Sequence, residues 1–351
     1  MNILEHRLIV PCVRRAPLAL ALAALAAAPL VIHDAYILRI LVLVGIYVLL
    51  TSSLNLINGY TGLFSLGHAA FYGIGAYTSA ILVVRTGWPV WVGMPAAALA
   101  AAAAAWLIAI PTLKLKGVYL TVTTLGLNVI IMLVFLNWVE LTNGPLGISG
   151  IPVPTLFGHK LSAPADYYYL ILVVDVLVIF ALSRLVRSRF GRALKAIRED
   201  ERAAHSCGIP LARYKTSAFV LGGALAGLAG SFYAHYMRYI SPDAFSYTET
   251  FNIITMLAFG GPGNLLGPIV GSAILISATE AFRVFAAYRM IIFGTVLVGT
   301  MLLRREGLLG GREYSFLITW PPRKKADYGK GDRIQDDRRN GCRGTEQDRH
   351  P

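Results

Sequence analysis

Apolar runs of bilayer-crossing length recur along this sequence, and they settle the fold class before any motif is read. A membrane-spanning helix needs about 20 such residues to cross a hydrocarbon core roughly 30 Å thick. An open sheet is excluded there, because lipid cannot hydrogen-bond its edges. The chain is 56% hydrophobic and 15% charged, whereas soluble domains carry about a quarter charged residues. These features give an all-α integral membrane protein of about nine transmembrane helices plus one half-helix.

The spans read as residues 16–32, 37–56, 59–84, 90–110, 118–139, 167–186 and 216–239. The first follows Arg14 and Arg15 and resembles a signal peptide. A second span comes at once, so the first reads as an uncleaved anchor. The stretch 250–281 is apolar but interrupted by Gly260, Gly261, Pro262 and Gly263, with Gly267 and Pro268 beyond. Such density breaks a helix, and in a membrane it is tolerated where backbone is buried in protein or lines a cavity. Residues 250–259 therefore read as a half-helix, 265–281 as a separate span and 285–303 as the last one.

Charge sets the expected orientation. Residues 184–215 hold nine Lys/Arg against three acids, so that loop is expected in the cytoplasm with Lys114, Lys116, Arg14 and Arg15. Residues 140–165 carry only Lys160 as a base and 241–249 none, so both are expected outside. The half-helix is expected to enter and return without crossing, with Arg304 and Arg305 inside. The expected division is a cytoplasmic N-terminus at 1–16, a transmembrane domain at 17–310 and a disordered cytoplasmic tail at 311–351. The net charge of +13 follows this inside pattern and does not indicate nucleic acid. Cys12, Cys207 and Cys342 form neither a disulfide framework nor a metal-ligand spacing.

The loop 188–214 is too long and too patterned for a connector. Ala193, Leu194, Ala196 and Ile197 suit a short amphipathic helix. Asp200 suits the cap of a second helix holding Ala203 and Ala204, with Gly208 ending it and Pro210 following. Small residues flanked by charges suit docking of a motor subunit, while an interfacial helix lying on lipid is the alternative. The docking candidates are Gly191, Arg192, Ala196, Glu199, Asp200, Ala204 and Gly208. The chain contains no G-x-x-x-x-G-K-[ST] phosphate loop, so energy is expected from partners and no cofactor of its own.

Two Gly-rich breaks suggest a translocation site at the midplane, with close helix packing as the bland alternative. The pathway candidates are Gly59, Gly62, Ser65, Gly67, His68, Asn128, Gly260, Gly263 and Gly267. Ser65 and His68 lie on one helical face, but no nucleophile–base–orienter set accompanies them, so pore lining or packing is preferred to proteolysis. Asp175, mid-span, is expected to face protein or water.

Six ordered blocks carry a family resemblance. GYTGLFSLGHAAFYGIGAYTSAIL at 59–82, LTNGPLGISGIP at 141–152 and FGRALKAIREDERAAHSCGI at 190–209 resemble LivM-type permeases of branched-chain amino acid ABC importers. SPDAFSYTETF at 241–251, FGGPGNLLGPIVGSAIL at 259–275 and YRMIIFG at 288–294 continue the order. The resemblance implies a LivH-type second permease, two cytoplasmic ATPases that bind the ATP, and an extracytoplasmic solute-binding protein. It implies that 190–209 contacts the ATPases, and that the chain is no enzyme itself. Urea or short-amide permeases are the alternative within the class, and a stand-alone channel or facilitator the alternative outside it.

Overall fold

The computed structural model describes residues 34–281 except 114, 116, 157, 158 and 162, together with 25, 27–29 and 307–309. The last expected span, the 311–351 tail, most of the first span, and Lys114, Lys116, Arg304 and Arg305 lie outside the described residues.

Helix α1 (Ala35–Leu54) starts at Asp34, whose carboxylate accepts the Tyr36 amide at 2.9 Å. It continues into a π-helical turn, Asn55–Tyr60, making one rod of 26 residues. Its apolar stretch is 72% buried, against 22% for α4 (Val118–Asn137), which makes α1 the central helix. The third span expected at 59–84 is corrected here. Gly59 and Tyr60 belong to the end of the α1 rod, 61–67 is irregular, and α2 is His68–Thr86. Gly62, at φ +74°, takes the chain out of the helix.

Helix α3 (Val90–Thr112), α4, the single turn α5 (Val139–Thr142) and α6 (Pro164–Arg187) follow. Next come the short α7 (Arg189–Glu199) and α8 (Glu201–Ser206), then α9 (Leu211–Met237), α10 (Tyr247–Gly260) and α11 (Gly267–Ala281). The α1 rod, α3, α4, α6 and α9 are each long and apolar enough to cross a membrane. Among the described residues, two-residue strands occur only in connections. β1 (Ile148–Ser149) pairs antiparallel with β4 (Tyr239–Ile240), and β2 (Thr155–Leu156) with β3 (His159–Lys160).

Small residues set the core spacing. Ala97, Ala101, Ala105 and Ala109 form an i, i+4 stripe on α3, each at most 1% exposed. Gly223 and Gly227 of α9 pack on Ala105 and Ala101. Gly230 packs on the Tyr72 carbonyl and Gly75 on the Gly227 backbone, so a Cβ at either would overlap main chain. Backbones that approach this closely gain dispersion and interhelical hydrogen bonds, which are what hold helices together in lipid. One such chain runs from Ser231 to Ser79 at 2.8 Å, on to His235 at 2.8 Å, and from His235 to the Pro152 carbonyl at 2.9 Å. It ties α2 and α9 to the 138–163 connection.

The two faces of the bundle sort as the charges suggest. The α7–α8 segment, the 61–67 break and the start of α4, where Thr121 donates to the Phe64 carbonyl at 3.0 Å, lie at one end. The 138–163 connection and Tyr239–Ile240 lie at the other, joined by β1–β4. The half-helix is present as α10, and 265–281 as the separate α11. Its expected return without crossing is corrected. Glu249 meets Tyr47, halfway along α1, whereas Gly263 meets Asn55 beside the α7 end. Helix α11 then climbs back, with Ser272 at the level of Tyr47–Thr51 and Glu280 bonded to Tyr36. α10 therefore delivers the chain to the α7 end. Its 14 residues, about 21 Å, suffice because the chain before it is already sunk in the protein, with Phe245 at 1% exposure. Residues 307–309 return to the same end, where Leu308 and Leu309 donate to the Phe259 and Gly260 carbonyls at 3.0 and 3.2 Å.

Candidate functional site

The α7–α8 segment is built by local chemistry. The Ser188 hydroxyl accepts from the Phe190 and Gly191 amides at 3.1 and 3.4 Å, capping α7. Asp200 caps α8 through the Arg202 and Ala203 amides at 2.7 and 3.1 Å. Gly208, at φ +80°, ends it. The inner face of α7 holds Gly191, Ala193, Leu194 and Ile197, and Gly191 sits on the Val186 carbonyl. α8 is moored to α9 by an ion pair, Lys215 to Glu201 at 2.6 Å, with the lysine side chain 6% exposed.

This sorts the docking candidates. Arg192, Glu199, Asp200 and Gly208 are exposed, and Ala196 is half-buried. Gly191 and Ala204 face inward, Ala204 at 4% exposure, and serve packing within this chain. Ala203, which the sequence reading left inside the helix without a role, is the exposed small residue of α8.

The two Gly-rich breaks do come together, at the α7 end of α1 rather than halfway along it. The π-turn carries α1 past the midpoint and places its break at the rod's end. Asn55 bridges the breaks: its Oδ1 accepts from the Gly263 amide at 2.8 Å and its Nδ2 donates to the Asn264 carbonyl at 2.8 Å. A methyl on Gly59 would lie 2.5 Å from the Gly263 amide nitrogen, so Gly59 is required for the approach, and Gly263 is required by its φ of +83°. Gly260 and Gly267 likewise press backbone on backbone. Arg198 of α7 reaches into this seam, its Nη1 donating to the Gly59 carbonyl at 2.5 Å. The sequence reading missed Asn55 and Arg198, because their partners are 208 and 139 residues away.

A second group lies deeper, where α2 and α10 begin. The Ala69 amide donates to Thr250 Oγ1 at 3.2 Å. His68 Nε2 meets Ser53 Oγ at 2.6 Å, and Ser65 instead engages Asn58 through its amide at 3.2 Å. Ser65 and His68 are thus not brought together as a pair, since the chain becomes helical only at His68. Gly67 packs on the Thr124 carbonyl, and Thr124 Oγ1 accepts from the Leu66 amide at 3.0 Å. Asn128, one turn further along that face of α4, is fully buried, with neither amide atom hydrogen-bonded among the described residues. Glu249 accepts from Tyr47 at 2.6 Å and Asn252 at 3.1 Å, and lies within electrostatic reach of the buried Tyr72 hydroxyl. Of these, Glu249 had a readable signal, a carboxylate opening a short helix inside apolar sequence. Asp175 lies apart, against Gly45 of α1, with its Oδ1 unpaired among the described residues. No group of three or more His, Cys, Asp or Glu residues placed to hold a metal occurs among the described residues.

Residues 36–301 match the family described as branched-chain amino acid transport system / permease component. The chain is 38% identical over 287 residues to the high-affinity branched-chain amino acid transport system permease protein LivM of Escherichia coli (strain K12), covering 75% of this chain and 68% of that one. It is 26% identical over 291 residues to LivH of the same organism, covering 76% of this chain and 92% of that one. It is 27% identical over 267 residues to the probable branched-chain amino acid transport permease protein LivM of Methanocaldococcus jannaschii, covering 66% and 77%. No solved structure matches the chain.

Proposed function

The chain belongs to the permease-component family of branched-chain amino acid transport systems, and on that premise we propose that it is the LivM-type membrane subunit of an ATP-driven importer of leucine, isoleucine and valine. It works in the bacterial inner membrane beside a LivH-type permease. Two cytoplasmic ATPases bind the ATP, and an extracytoplasmic binding protein delivers the solute. Its own sequence supplies no phosphate loop, so the motor is on other chains. The observation that carries this reading is the α7–α8 pair, capped at both starts and exposing Arg192, Glu199, Asp200 and Ala203. That surface suits docking of the ATPases. With 184–215 in the cytoplasm, the seam at Gly59 and Gly263 faces inward, and the polar group around His68, Asn128 and Glu249 lies between it and the outer face. This group is the proposed lining of the solute path. ATP-driven closure of the motor moves α7–α8 and so shifts the permease between inward- and outward-open states, which requires motor contacts that differ between the two.

The test is affinity purification of the chain from native membranes, with partners identified by mass spectrometry. Recovery of two ATPases and a second permease is expected, and is expected to be lost when 190–209 is scrambled in a chain that still folds. Recovery of the folded chain alone, under conditions that preserve a known importer complex, would replace this reading with a channel or facilitator.

A further inference from the structure

A helix ends with carbonyls that have no partner within the helix, and the α1 rod ends inside the protein, where each must find one. The Leu56 carbonyl takes the Thr61 hydroxyl at 2.9 Å, and the Ile57 carbonyl takes the Leu63 amide at 3.3 Å. The Gly59 carbonyl takes Arg198, which belongs to α7 and not to the rod. A cation there also meets the negative end of the helix dipole. Arg198 is exposed as a residue, but its stem and its head both lie against the breaks. Its Cγ lies 3.1 Å from where a Cβ on Gly62 would stand, and its guanidinium occupies the space a Cβ on Gly263 would fill. One side chain therefore touches both chain breaks at residues that must be glycine, two of them at positive φ. Asn55 accepts from the Gly263 amide at the same seam.

We propose that Arg198 is a positioning residue that transmits displacement of α7–α8 to both breaks at once, so that the outward surface of α7 docks the motor and its Arg198 moves the seam. This rests on the importer reading above. Elsewhere α7 also makes apolar contacts that can slide: Leu194 packs with Leu56, Leu182 and Ala218, and Phe190 lies against Tyr214 with ring centroids 5.4 Å apart. Arg198 donates a hydrogen bond into the seam. Its planar fork holds the Gly59 carbonyl directionally, which makes it a directional contact beside apolar ones that can slide.

The experiment uses the full complex, purified and reconstituted with its binding protein, and reads leucine taken up per ATP hydrolysed. In Arg198→Ala the expected result is an intact complex that hydrolyses ATP at close to the wild-type rate while that ratio falls by roughly tenfold, within the range of known coupling effects. Arg198→Lys keeps one donor for the Gly59 carbonyl and is expected to recover part of the ratio. A ratio unchanged in Arg198→Ala overturns the proposal. So does a fall in uptake and hydrolysis in step, with the ratio kept, which is the mark of a residue that only holds the fold. If the alanine variant is not recovered as a complex, Arg198→Gln, which keeps an amide donor on a shorter stem, is read by the same criteria. A wild-type complex without ATP-dependent uptake would instead remove the importer reading, and this proposal with it.

Discussion

At the scale of single residues, the glycines divide by what surrounds them. A methyl on Gly230 would collide with the Tyr72 carbonyl, whereas one on Gly126 would meet nothing within 4 Å. Gly230→Ala is expected to cost about 1–3 kcal/mol through backbone displacement, and Gly126→Ala to gain roughly 0.5–1 kcal/mol by lowering backbone entropy. Unfolding of both variants in mixed micelles checks the contrast, and equal stabilities would mean that the α2–α9 contact is looser than described. Asn128 permits a sharper separation. An amide buried with both atoms unpaired among the described residues is a liability, so Asn128→Leu is expected to leave stability unchanged or raised. If Asn128 lines the solute path, uptake in the same variant falls at least several-fold. Unchanged uptake at equal protein level would remove it from the path. The Gly-rich breaks were readable from composition, because glycine and proline punctuate any helix. Their meeting was not readable, since Asn55 finds Gly263 only through the fold. Nor was the role of the individual glycines: Gly59, Gly67, Gly260 and Gly267 read as pathway candidates, and each is pressed against backbone.

At the scale of elements, short-range chemistry was the most legible. The α7–α8 boundary follows from Asp200 and Gly208 alone, since capping and left-handed termination act within a few residues. Which face of α8 is buried was not legible, because six residues are too few to establish a stripe. The sequence reading favoured Ala204 for docking, and the structure turns Ala204 inward and Ala203 outward. Ala203→Trp is accordingly expected to reduce recovery of the ATPases while the isolated chain keeps its stability. Ala204→Trp is expected to destabilise the chain itself, by about 1–3 kcal/mol for overpacking. The reverse pattern would place the partner on the other face. The α1 boundary shows a different limit. The apolar run fades after Leu56, yet the π-turn extends the rod to Tyr60, where Arg198 and the Gly263 amide donate hydrogen bonds from outside it, to the Gly59 carbonyl and to Asn55. No local propensity encodes that extension.

At the scale of the whole molecule, apolar run lengths gave the class and most spans, and charge asymmetry grouped the loops at two ends as the structure does. The path of α10 was misjudged: nine other spans counted from a cytoplasmic N-terminus leave Arg304 and Arg305 inside only if α10 also carries the chain across, and Gly263 beside Asn55 shows α10 reaching the α7 end. Sidedness has a direct check in Cys207, which is exposed at the end of α8. In a variant with Cys12 and Cys342 replaced by serine, a membrane-impermeant maleimide is expected to label inside-out vesicles and spare intact spheroplasts. Labelling of spheroplasts would invert the topology and place the α7–α8 surface out of reach of any cytoplasmic motor. The central claim is that this chain carries branched-chain amino acids only when partner ATPases drive it. Leucine uptake into proteoliposomes containing the purified complex and its binding protein measures this most directly. Accumulation above the outside concentration is expected with ATP enclosed beside the ATPases, and none without it. Leucine entry at the same rate without ATP, levelling at the outside concentration, would contradict the claim and make the chain a facilitator.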